Sequence, residues 1–498
     1  MTRSIQVKIS IVRRLLSTVE GCHLVGHSTI DSLSDDVLLC IFDSYRRDSE
    51  WGLGMWPWDN LVHVCRRWRR IVFAFPGYLD LRLRCKSKTD VQATLDIWPT
   101  LPLGIRAILY KKGVDEDDLL GALEHRDRMA GIDLGGFWCC QLTKCMALMQ
   151  EPFPVLKSLE LRADDRMMFV ITDTFLGGSA PLLQSIRLQG IRFPSLPRLL
   201  LSTHDFVKLD LSAIPLLPGE GDIPLDALIT CLSLLTKLRS LTLTFQYPSH
   251  WRTPIPYPDQ HPPLSAHAVL PALTYLLLRG PHKYLEDLVD RVDAPLLTSG
   301  DLQFWDEPMF VTPRVPQFIH RAEMFKLVGE IEVHVCRAPS YRRPGIDATF
   351  RSSMGPAKFS LSFPCSGFPA QCAIMERICY QWPPLVSHIE VLNLYDVFYQ
   401  ESRWFDTDTA TPWSVFLRPF TAVQTLRLHA KAKGPPHVAY MLGQLEGRGP
   451  TEVLPALRTI ELDCSEHGAS EALRFLRPFL VTREQSECPV TVNVCSKS

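Results

Sequence analysis

The chain has 498 residues, with 53 lysines and arginines against 54 aspartates and glutamates, and 46% of its residues are hydrophobic. The formal net charge of -1 argues against binding of nucleic acid through an overall basic field, and the apolar share excludes an intrinsically disordered chain. This length predicts several domains, unless the chain is a repeat array that grows without splitting its core.

The first 28 residues contain basic side chains and no acid before Glu20, a balance that could indicate a mitochondrial presequence. Ile5, Val7, Ile9 and Ile11 alternate with a period of two, whereas a mitochondrial presequence needs a helical apolar face. We therefore expect residues 1–28 to be a loosely ordered extension.

A first amphipathic helix is predicted to begin near Ser34. Asp35 and Asp36 place negative charge in its first turn, where the helix dipole favours acids. Leu33 precedes the helix and can pack back on it as an apolar staple. The apolar stripe of this helix consists of Val37, Leu38, Ile41, Phe42 and Tyr45.

A second helix is predicted after a glycine-containing loop from Ser49 to Pro57. Its arginines are interpreted as a solvated face, because charges on the polar side of a short helix usually face water. Two short helices cannot fully cover both apolar faces on each other, so the pair predicts a partner. The apolar positions are Leu61, Val64, Cys65, Trp68, Ile71 and Val72, and the arginines are Arg66, Arg67, Arg69 and Arg70.

The two helices together resemble the F-box motif. The resemblance rests on the segment from Leu33 to Phe42 and on the signature from Val64 to Trp68, although Ser34 stands where the family usually has proline. It implies a helical module, residues 29–84, that docks on the Skp-type adaptor of a cullin ubiquitin ligase. The alternative is a helical hairpin packed only within the chain. The residues that the resemblance assigns to adaptor binding are Leu33, Asp36, Val37, Leu38, Ile41, Phe42, Leu61, Val64, Cys65 and Trp68.

A repeated aliphatic pattern, LxxLxL, runs from about Leu101 to Asp463 at roughly 30-residue intervals, a period typical of solenoids. The last two aliphatic positions predict a short half-buried strand, so each unit is covered only by stacking on its neighbours. The stronger copies are Leu156-Leu159-Leu161, Leu183-Ile186-Leu188, Phe206-Leu209-Leu211, Leu238-Leu241-Leu243, Leu273-Leu276-Leu278, Val328-Ile331-Val333, Ile389-Leu392-Leu394, Val423-Leu426-Leu428 and Leu457-Ile460-Leu462. Weaker copies are Ile105-Ile108-Tyr110, Met129-Ile132-Leu134 and Leu302-Phe304, and Phe359 to Phe363 reads as a further strand.

The pattern resembles a leucine-rich repeat and is degenerate, because the asparagine or cysteine of a standard repeat is replaced in eight strong copies, by Asp164, Ile191, Ile214, Gln246, Pro281, Val397, Lys431 and Ser465. Helical return segments are expected at Pro224–Thr236 and Ser470–Arg477, and long loops at Tyr247–Ala268 and Val335–Ala357. A helical module followed by such repeats is similar to the large F-box family of mushroom-forming, basidiomycete fungi.

The expected fold class is α/β, with a small N-terminal F-box-like helical module followed by an irregular leucine-rich-repeat-like solenoid. Short parallel strands with helical or irregular return segments would occupy residues 85–485, and residues 486–498 would form a C-terminal tail. An ordinary α/β domain whose strands begin with leucine is the alternative.

The 15 cysteines are scattered, and no secretory segment precedes them, which predicts reduced thiols in the cytoplasm or the nucleus. Cys139, Cys140, Cys145, Cys372 and Cys379 lack the paired spacing of a zinc site and are expected to be core residues, so no metal is predicted. No apolar run approaches the roughly 18 residues of a membrane helix.

Enzyme motifs such as GxSxG, GxxxxGK, strand-linked GxGxxG and HExxH do not occur. His261, His267 and His282 near Asp287 are the one group suited to an unrecognised hydrolase, but they lie in or beside a proline-rich loop. We therefore expect a protein that is not an enzyme, with no catalytic or cofactor-binding residues and no cofactor.

The function expected from the resemblance is that of a substrate-receptor subunit of a Skp/cullin-type ubiquitin ligase. Its partners would be a Skp-type adaptor, a cullin through that adaptor, and an unknown target protein, with neither nucleic acid nor membrane involved. The alternative is a non-catalytic repeat scaffold for protein–protein interaction, in which the helical module only caps the repeats.

Overall fold

The computed structural model of the protein describes most of the chain. The predicted extension at residues 1–28 and the loop from Ser49 to Pro57 lie outside the described residues. The described residues are 30–48, 61–75, 81–85, 91–92, 95, 102–108, 115–137, 139–163, 169–214, 225–246, 267–305, 314–337, 345–365, 368–382, 386–396, 410–430, 436–445 and 449–495.

The chain divides into two compact units. The first comprises Met1–Gly136 with Phe153–Leu156, and the second comprises Phe137–Pro152 with Lys157–Ser498. The division falls inside the stretch that the sequence assigns to the repeats.

The described helices and strands alternate along most of the chain. The α-helices are α1 (Asp35–Asp48), α2 (Arg66–Ala74), α3 (Glu116–Glu124), α4 (Cys139–Leu148), α5 (Leu196–Leu200), α6 (Leu225–Leu234), α7 (His282–Asp290), α8 (Arg314–Arg321), α9 (Phe368–Gln381), α10 (Ala410–Leu417), α11 (His437–Gly443), α12 (Gly449–Glu452) and α13 (Glu466–Gln485). The strands are β1 (Leu81–Arg84), β2 (Leu103–Ile108), β3 (Met129–Phe137), β4 (Ser158–Ala163), β5 (Phe169–Val170), β6 (Ser185–Gln189), β7 (Ile191–Arg192), β8 (Lys208–Ile214), β9 (Ser240–Phe245), β10 (Ala268–Val269), β11 (Tyr275–Gly280), β12 (Val292–Asp293), β13 (Ser299–Phe304), β14 (Val328–Arg337), β15 (Gly345–Ser352), β16 (Lys358–Pro364), β17 (Val391–Asp396), β18 (Thr425–Ala430), β19 (Thr459–Asp463) and β20 (Thr491–Val494).

The first unit joins the two predicted N-terminal helices to a parallel sheet of order β1-β2-β3. Strand β2 buries Leu103, Ile105 and Ala107. The weak repeat copy at Ile105 predicted Ile108 and Tyr110 as the inward pair, and this register is wrong, because the inward side chains of β2 stand on odd-numbered positions. Ile108 is half-buried, and Tyr110 lies outside the described residues.

The second unit contains a large, mostly parallel sheet. Its strand order is β4-β6-β8-β9-β11-β13-β16-β15-β14-β17-β18-β19-β20. Helices α6 and α13 lie where helical return segments were predicted. The chain is therefore a mixed α/β protein, as the sequence predicts.

The repeated aliphatic pattern places like side chains opposite each other on successive strands. Because neighbouring strands pair in register, the first aliphatic residue of each repeat lies beside the first of the next repeat, and the second beside the second. The strands therefore share two buried aliphatic rows. The first row contains Leu159, Ile186, Leu209, Leu241 and Leu276, and the second contains Leu161, Leu188, Leu211, Leu243, Leu278, Leu302 and Leu361. From β14 onward the first row continues through Ile331, Leu392, Leu426, Ile460 and Val492. The second row continues through Val333, Leu394, Leu428, Leu462 and Val494.

Gly300 interrupts the first aliphatic row in β13. Its register partner in β16 is Phe359, which is fully buried, and a Cβ placed on Gly300 would collide with the Phe359 ring. The large ring thus fills the volume that an aliphatic side chain occupies elsewhere. This explains why the repeat copy at Leu302 is weak.

The long loop predicted over Val335–Ala357 is wrong in part, because residues 335–337 end strand β14 and Gly345–Ser352 form strand β15, whereas residues 338–344 lie outside the described residues. Strand β15 pairs antiparallel with β14 on one side and with β16 on the other. Its apolar side chains Ile346, Ala348 and Phe350 are buried and alternate with polar ones, which is the period-two pattern of a strand. The antiparallel strand places β16, and not β14, beside β13.

The tail predicted for residues 486–498 is also corrected. Thr491–Val494 form β20, which extends the sheet by pairing parallel with β19. Among the described helices, none is long and apolar enough to cross a membrane.

Arg483 connects the last helix to the segment before β19. Its side chain is 1% exposed, and its guanidinium donates hydrogen bonds to the carbonyl oxygens of Leu457 at 2.8 Å and Cys488 at 3.2 Å. It also reaches the carbonyl oxygens of Leu454 and Pro455, each at 3.4 Å. Burial lowers the pKa of Arg483 from its usual value. This side chain therefore gives a charged donor to the buried carbonyls of Leu454 and Leu457 and to the part-buried carbonyls of Pro455 and Cys488.

We expect Arg483→Met to lower the free energy of unfolding of the second unit by about 3 kcal/mol, because two buried and two part-buried carbonyls lose a charged donor. Denaturant-induced unfolding followed by circular dichroism measures the change. Arg474→Met is the matched control, since Arg474 is exposed on the same helix. Equal stability of the two variants would contradict the role given to Arg483.

Candidate adaptor-binding surface

The interior of the N-terminal helical module contains several residues that the F-box resemblance assigns to adaptor binding. Leu38 and Phe42 of α1 are buried, as are Leu61 and Trp68. The rings of Phe42 and Trp68 pack at a tilt of 58°, with centroids 4.7 Å apart. These four side chains hold the helices together and are unavailable to a partner while the module stays folded.

The other assigned residues reach the surface. Asp36, Val37 and Cys65 are exposed, and Leu33, Ile41 and Val64 are half-buried. Val37 is 44% exposed, and Ile41 lies one helical turn further along, on the same side of α1. We call Val37, Cys40 and Ile41 the α1 stripe, an apolar strip that faces away from the Phe42 and Trp68 core.

Two short side chains cap the helices of the module. The Oγ of Ser34 accepts a hydrogen bond from the Val37 N–H at 3.3 Å, and the Sγ of Cys65 accepts one from the Trp68 N–H at 3.4 Å. Each therefore satisfies a backbone donor that the first turn of a helix leaves free. Ser34 thus contributes an N-cap at the position where the F-box family usually has proline.

Arg67 ties α2 to the beginning of α1. Its Nε and Nη2 donate to Asp35 Oδ1 at 3.0 and 2.7 Å, and Nη2 also donates to the carbonyl oxygen of Leu33 at 2.5 Å. Arg69 donates to the carbonyl oxygen of Val62 at 2.9 Å. The interpretation of all four arginines as a solvated face is therefore wrong for Arg67, which is half-buried and closes a contact within the module, whereas Arg69 is exposed as interpreted. Arg66 and Arg70 are exposed.

Two aromatic side chains at the end of α2 were not predicted as surface residues. Phe73 is 55% exposed and Phe75 is 43% exposed. Phe73 falls outside the buried stripe of Trp68, Ile71 and Val72, so the helical period already separates it from the core. Its position off that stripe was the available sequence signal.

The described residues considered for a hydrolase have separate charged partners. His267 lies 3.5 Å from Asp293, and His282 lies 3.3 Å from Glu286 within α7. Asp287 pairs with Arg314, and His261 lies outside the described residues. The two described histidines, His267 and His282, thus have separate acidic neighbours.

The described cysteines of the second unit are mostly core residues, as predicted. Cys145, Cys372 and Cys379 are buried, whereas the side chains of Cys139 and Cys140 lie outside the described residues. Burial raises the pKa of the Cys231 thiol to about 12, which keeps it protonated and unreactive. Within the described residues, no group of three or more His, Cys, Asp or Glu side chains is arranged to hold a metal ion.

Comparisons with known proteins add no family to this geometry. No protein-family model matches the chain, and no curated protein matches it.

We expect Trp68→Ala to destabilise the helical module by about 3 to 4 kcal/mol, because it removes a large buried ring beside Phe42. Phe73→Ala is the matched control and should change stability by less than about 0.5 kcal/mol, since Phe73 is largely exposed. Hydrogen exchange of the α1 and α2 amides measures the effect. Unchanged protection in Trp68→Ala would rule out the packing described for this core.

Proposed function

We propose that the chain is the substrate-receptor, or F-box, subunit of a Skp/cullin-type ubiquitin ligase. In this proposal the helical module, residues 29–84, binds a Skp-type adaptor through the α1 stripe and the neighbouring Leu33 and Val64. The parallel strands form an irregular leucine-rich-repeat-like solenoid that binds the target protein.

The observation that carries the proposal is the uncovered α1 stripe. The module completes its own core with Leu38, Phe42 and Trp68, yet Val37 remains exposed and Ile41 half-exposed beside it. Apolar side chains grouped on one side of a small helical module are typical of a protein-binding surface. The sequence resemblance says which partner such a surface takes.

The receptor would act by proximity alone. A target held on the second unit is presented at high effective concentration to an enzyme carried by other subunits, so the receptor itself performs no chemistry.

The polar side of the second unit's sheet is suited to holding a protein target. Between the buried aliphatic positions the strands present charged side chains in cross-strand pairs, for example Arg187 between Glu160 at 3.3 Å and Asp210 at 3.2 Å. Such ordered polar rows select a partner through the positions of its charges.

An aromatic row lies on the same side of the sheet further along. The rings of His334, Tyr395 and His429 stack on neighbouring strands at centroid distances of 4.2 and 4.1 Å. Acids flank the row, with Glu332 2.6 Å from His334 and Asp463 2.8 Å from His429. Rigid aromatic side chains with polar edges are favoured at protein interfaces.

Glu332 keeps its negative charge at this surface. Burial alone would raise the pKa of Glu332, but hydrogen bonds from His334 and Arg351 outweigh burial and lower it. A carboxylate whose pKa is lower in the folded than in the unfolded chain stabilises the fold when the pH is above the unfolded pKa. This contribution is lost as the pH falls through the folded pKa.

We expect Val37→Asp to weaken binding of a Skp-type adaptor at least about tenfold, because it places a charge in an apolar contact. Coexpression with the adaptor followed by affinity measurement on the purified pair gives the effect. Arg66→Asp is the matched control, because it adds an acid at an exposed first-turn position of α2, where the helix dipole favours it.

The control should bind as the wild type does. If the wild-type chain does not bind the adaptor, or if Val37→Asp binds equally well, the ligase proposal is withdrawn in favour of a repeat scaffold.

A further inference from the structure

The outer edge of β20 is a feature that adaptor docking does not use. β20 is the last strand in the sheet of the second unit and pairs with β19 along one edge. Among the residues that the structure describes, no strand pairs with its other edge.

The hydrogen bonds of β20 show which backbone groups face that open edge. The N–H of Thr491 donates to the carbonyl of Arg458, and the N–H of Cys495 donates to that of Leu462, both at 2.9 Å. Backbone groups alternate in direction along a strand, so the N–H and C=O groups of Val492 and Val494 point outward.

The open edge carries little of the usual protection beyond its short length. Natural edge strands are kept short or are guarded by charged side chains, proline or a bulge, and the four residues Thr491–Val494 include no charged residue or proline. Val494 is 45% exposed although it continues the buried row of Leu462. The sheet therefore ends on both unpaired backbone groups and uncovered apolar surface.

Helix α13, which precedes β20 in the chain, adds a second strip of exposed apolar side chains. It packs inward through Ala472, Leu476 and Phe479. Its other side exposes Leu473 and Val481, which are 38% and 43% exposed. Arg477 and Glu484 are also exposed. They lie on the same side of the helix as Val481, because residues three, four and seven apart share a helix face.

We propose that this end of the second unit, β20 with the outer side of α13, binds a second copy of the same chain around a twofold axis. Antiparallel pairing of the two β20 strands joins Val492 of one copy to Val494 of the other, so both sets of outward backbone groups are satisfied. The two Asn493 residues then meet on the axis. Their side-chain amides each carry a donor and an acceptor and can pair with each other.

The same axis passes the helix at Val481. Asn493 lies two residues beyond the start of β20, a rise of about 6.6 Å, and Val481 lies four residues before the end of α13, about 6 Å along the helix. Because only residues 486–490 join the helix to the strand, we infer that the two residues stand at similar levels. One twofold axis therefore brings Val481 of both copies together as well.

Charge complementarity identifies a second copy as the occupant. Around a central Val481, antiparallel helices place Arg477 of one copy beside Glu484 of the other, and the reverse pair forms on the opposite side. The strip has its cation on one side of the apolar centre and its anion on the other. It is therefore complementary in charge to the same strip on a second copy related by the twofold axis. The proposal concerns the second unit alone and does not depend on adaptor docking.

Sedimentation velocity of the full chain at tens of micromolar tests the proposal. The wild type is expected at twice the chain mass of 56.5 kDa. Asn493→Lys should sediment at the single-chain mass, because it brings two ammonium groups together on the axis. Gln424→Lys is the matched control, since it adds the same charge at an exposed position beside the interior strand β18, and it should stay dimeric. Equal circular dichroism melting curves establish that both variants are folded.

A charge exchange tests the antiparallel arrangement of the helices. Arg477→Glu should raise the dissociation constant of the dimer at least about tenfold, and the double variant Arg477→Glu, Glu484→Arg should recover most of the lost affinity. A monomeric wild type would overturn the proposal. The edge of β20 would then be covered by another part of the chain or by a different protein. Dimeric Asn493→Lys, or no recovery in the double variant, would overturn it as well.

Discussion

Every strand in the second unit depends on its neighbours to cover its apolar side. The aliphatic rows that run from Leu159 to Leu276 and from Ile331 to Val492 exist only while the strands keep one register, because a shift by one residue would expose each side chain. Stacking of this kind covers the interior completely but leaves apolar surface at the end of the array. Val494 is an exposed apolar side chain at that end. The short helical module likewise leaves an apolar side chain, Val37, exposed.

The sequence predicts the elements whose pattern repeats. Most LxxLxL copies fall on strands, and the helices around Leu38 and Trp68 form where the helical period places them. The two strands that the sequence did not predict, β15 and β20, were missed for local reasons. Strand β15 has a clear alternation of Ile346, Ala348 and Phe350, but the neighbouring proline-rich and polar residues outweighed it. Strand β20 is too short for its two valines to stand out, because strands of four residues carry little periodic signal.

The candidate site was predicted less completely than the fold. A helical period shows which positions are apolar but not which of them turn inward, and that choice depends on the packing of Phe42 on Trp68. The contact of Arg67 with Asp35 is also tertiary, because the two residues are far apart in the chain. Ser34, which departs from the family pattern, has a structural role as the cap of α1. Only the structure separates the residues that build the module from those that can meet a partner.

The module and the array thus have different tasks in the proposed receptor, since one presents an apolar stripe and the other presents ordered polar rows. Hydrogen exchange measured by mass spectrometry, with and without a Skp-type adaptor, tests this division most directly. Amide exchange should slow in Asp35–Asp48 and Arg66–Ala74 on adaptor binding and stay unchanged in strands β17 to β19. Slowing confined to the array, or none at all, would contradict it.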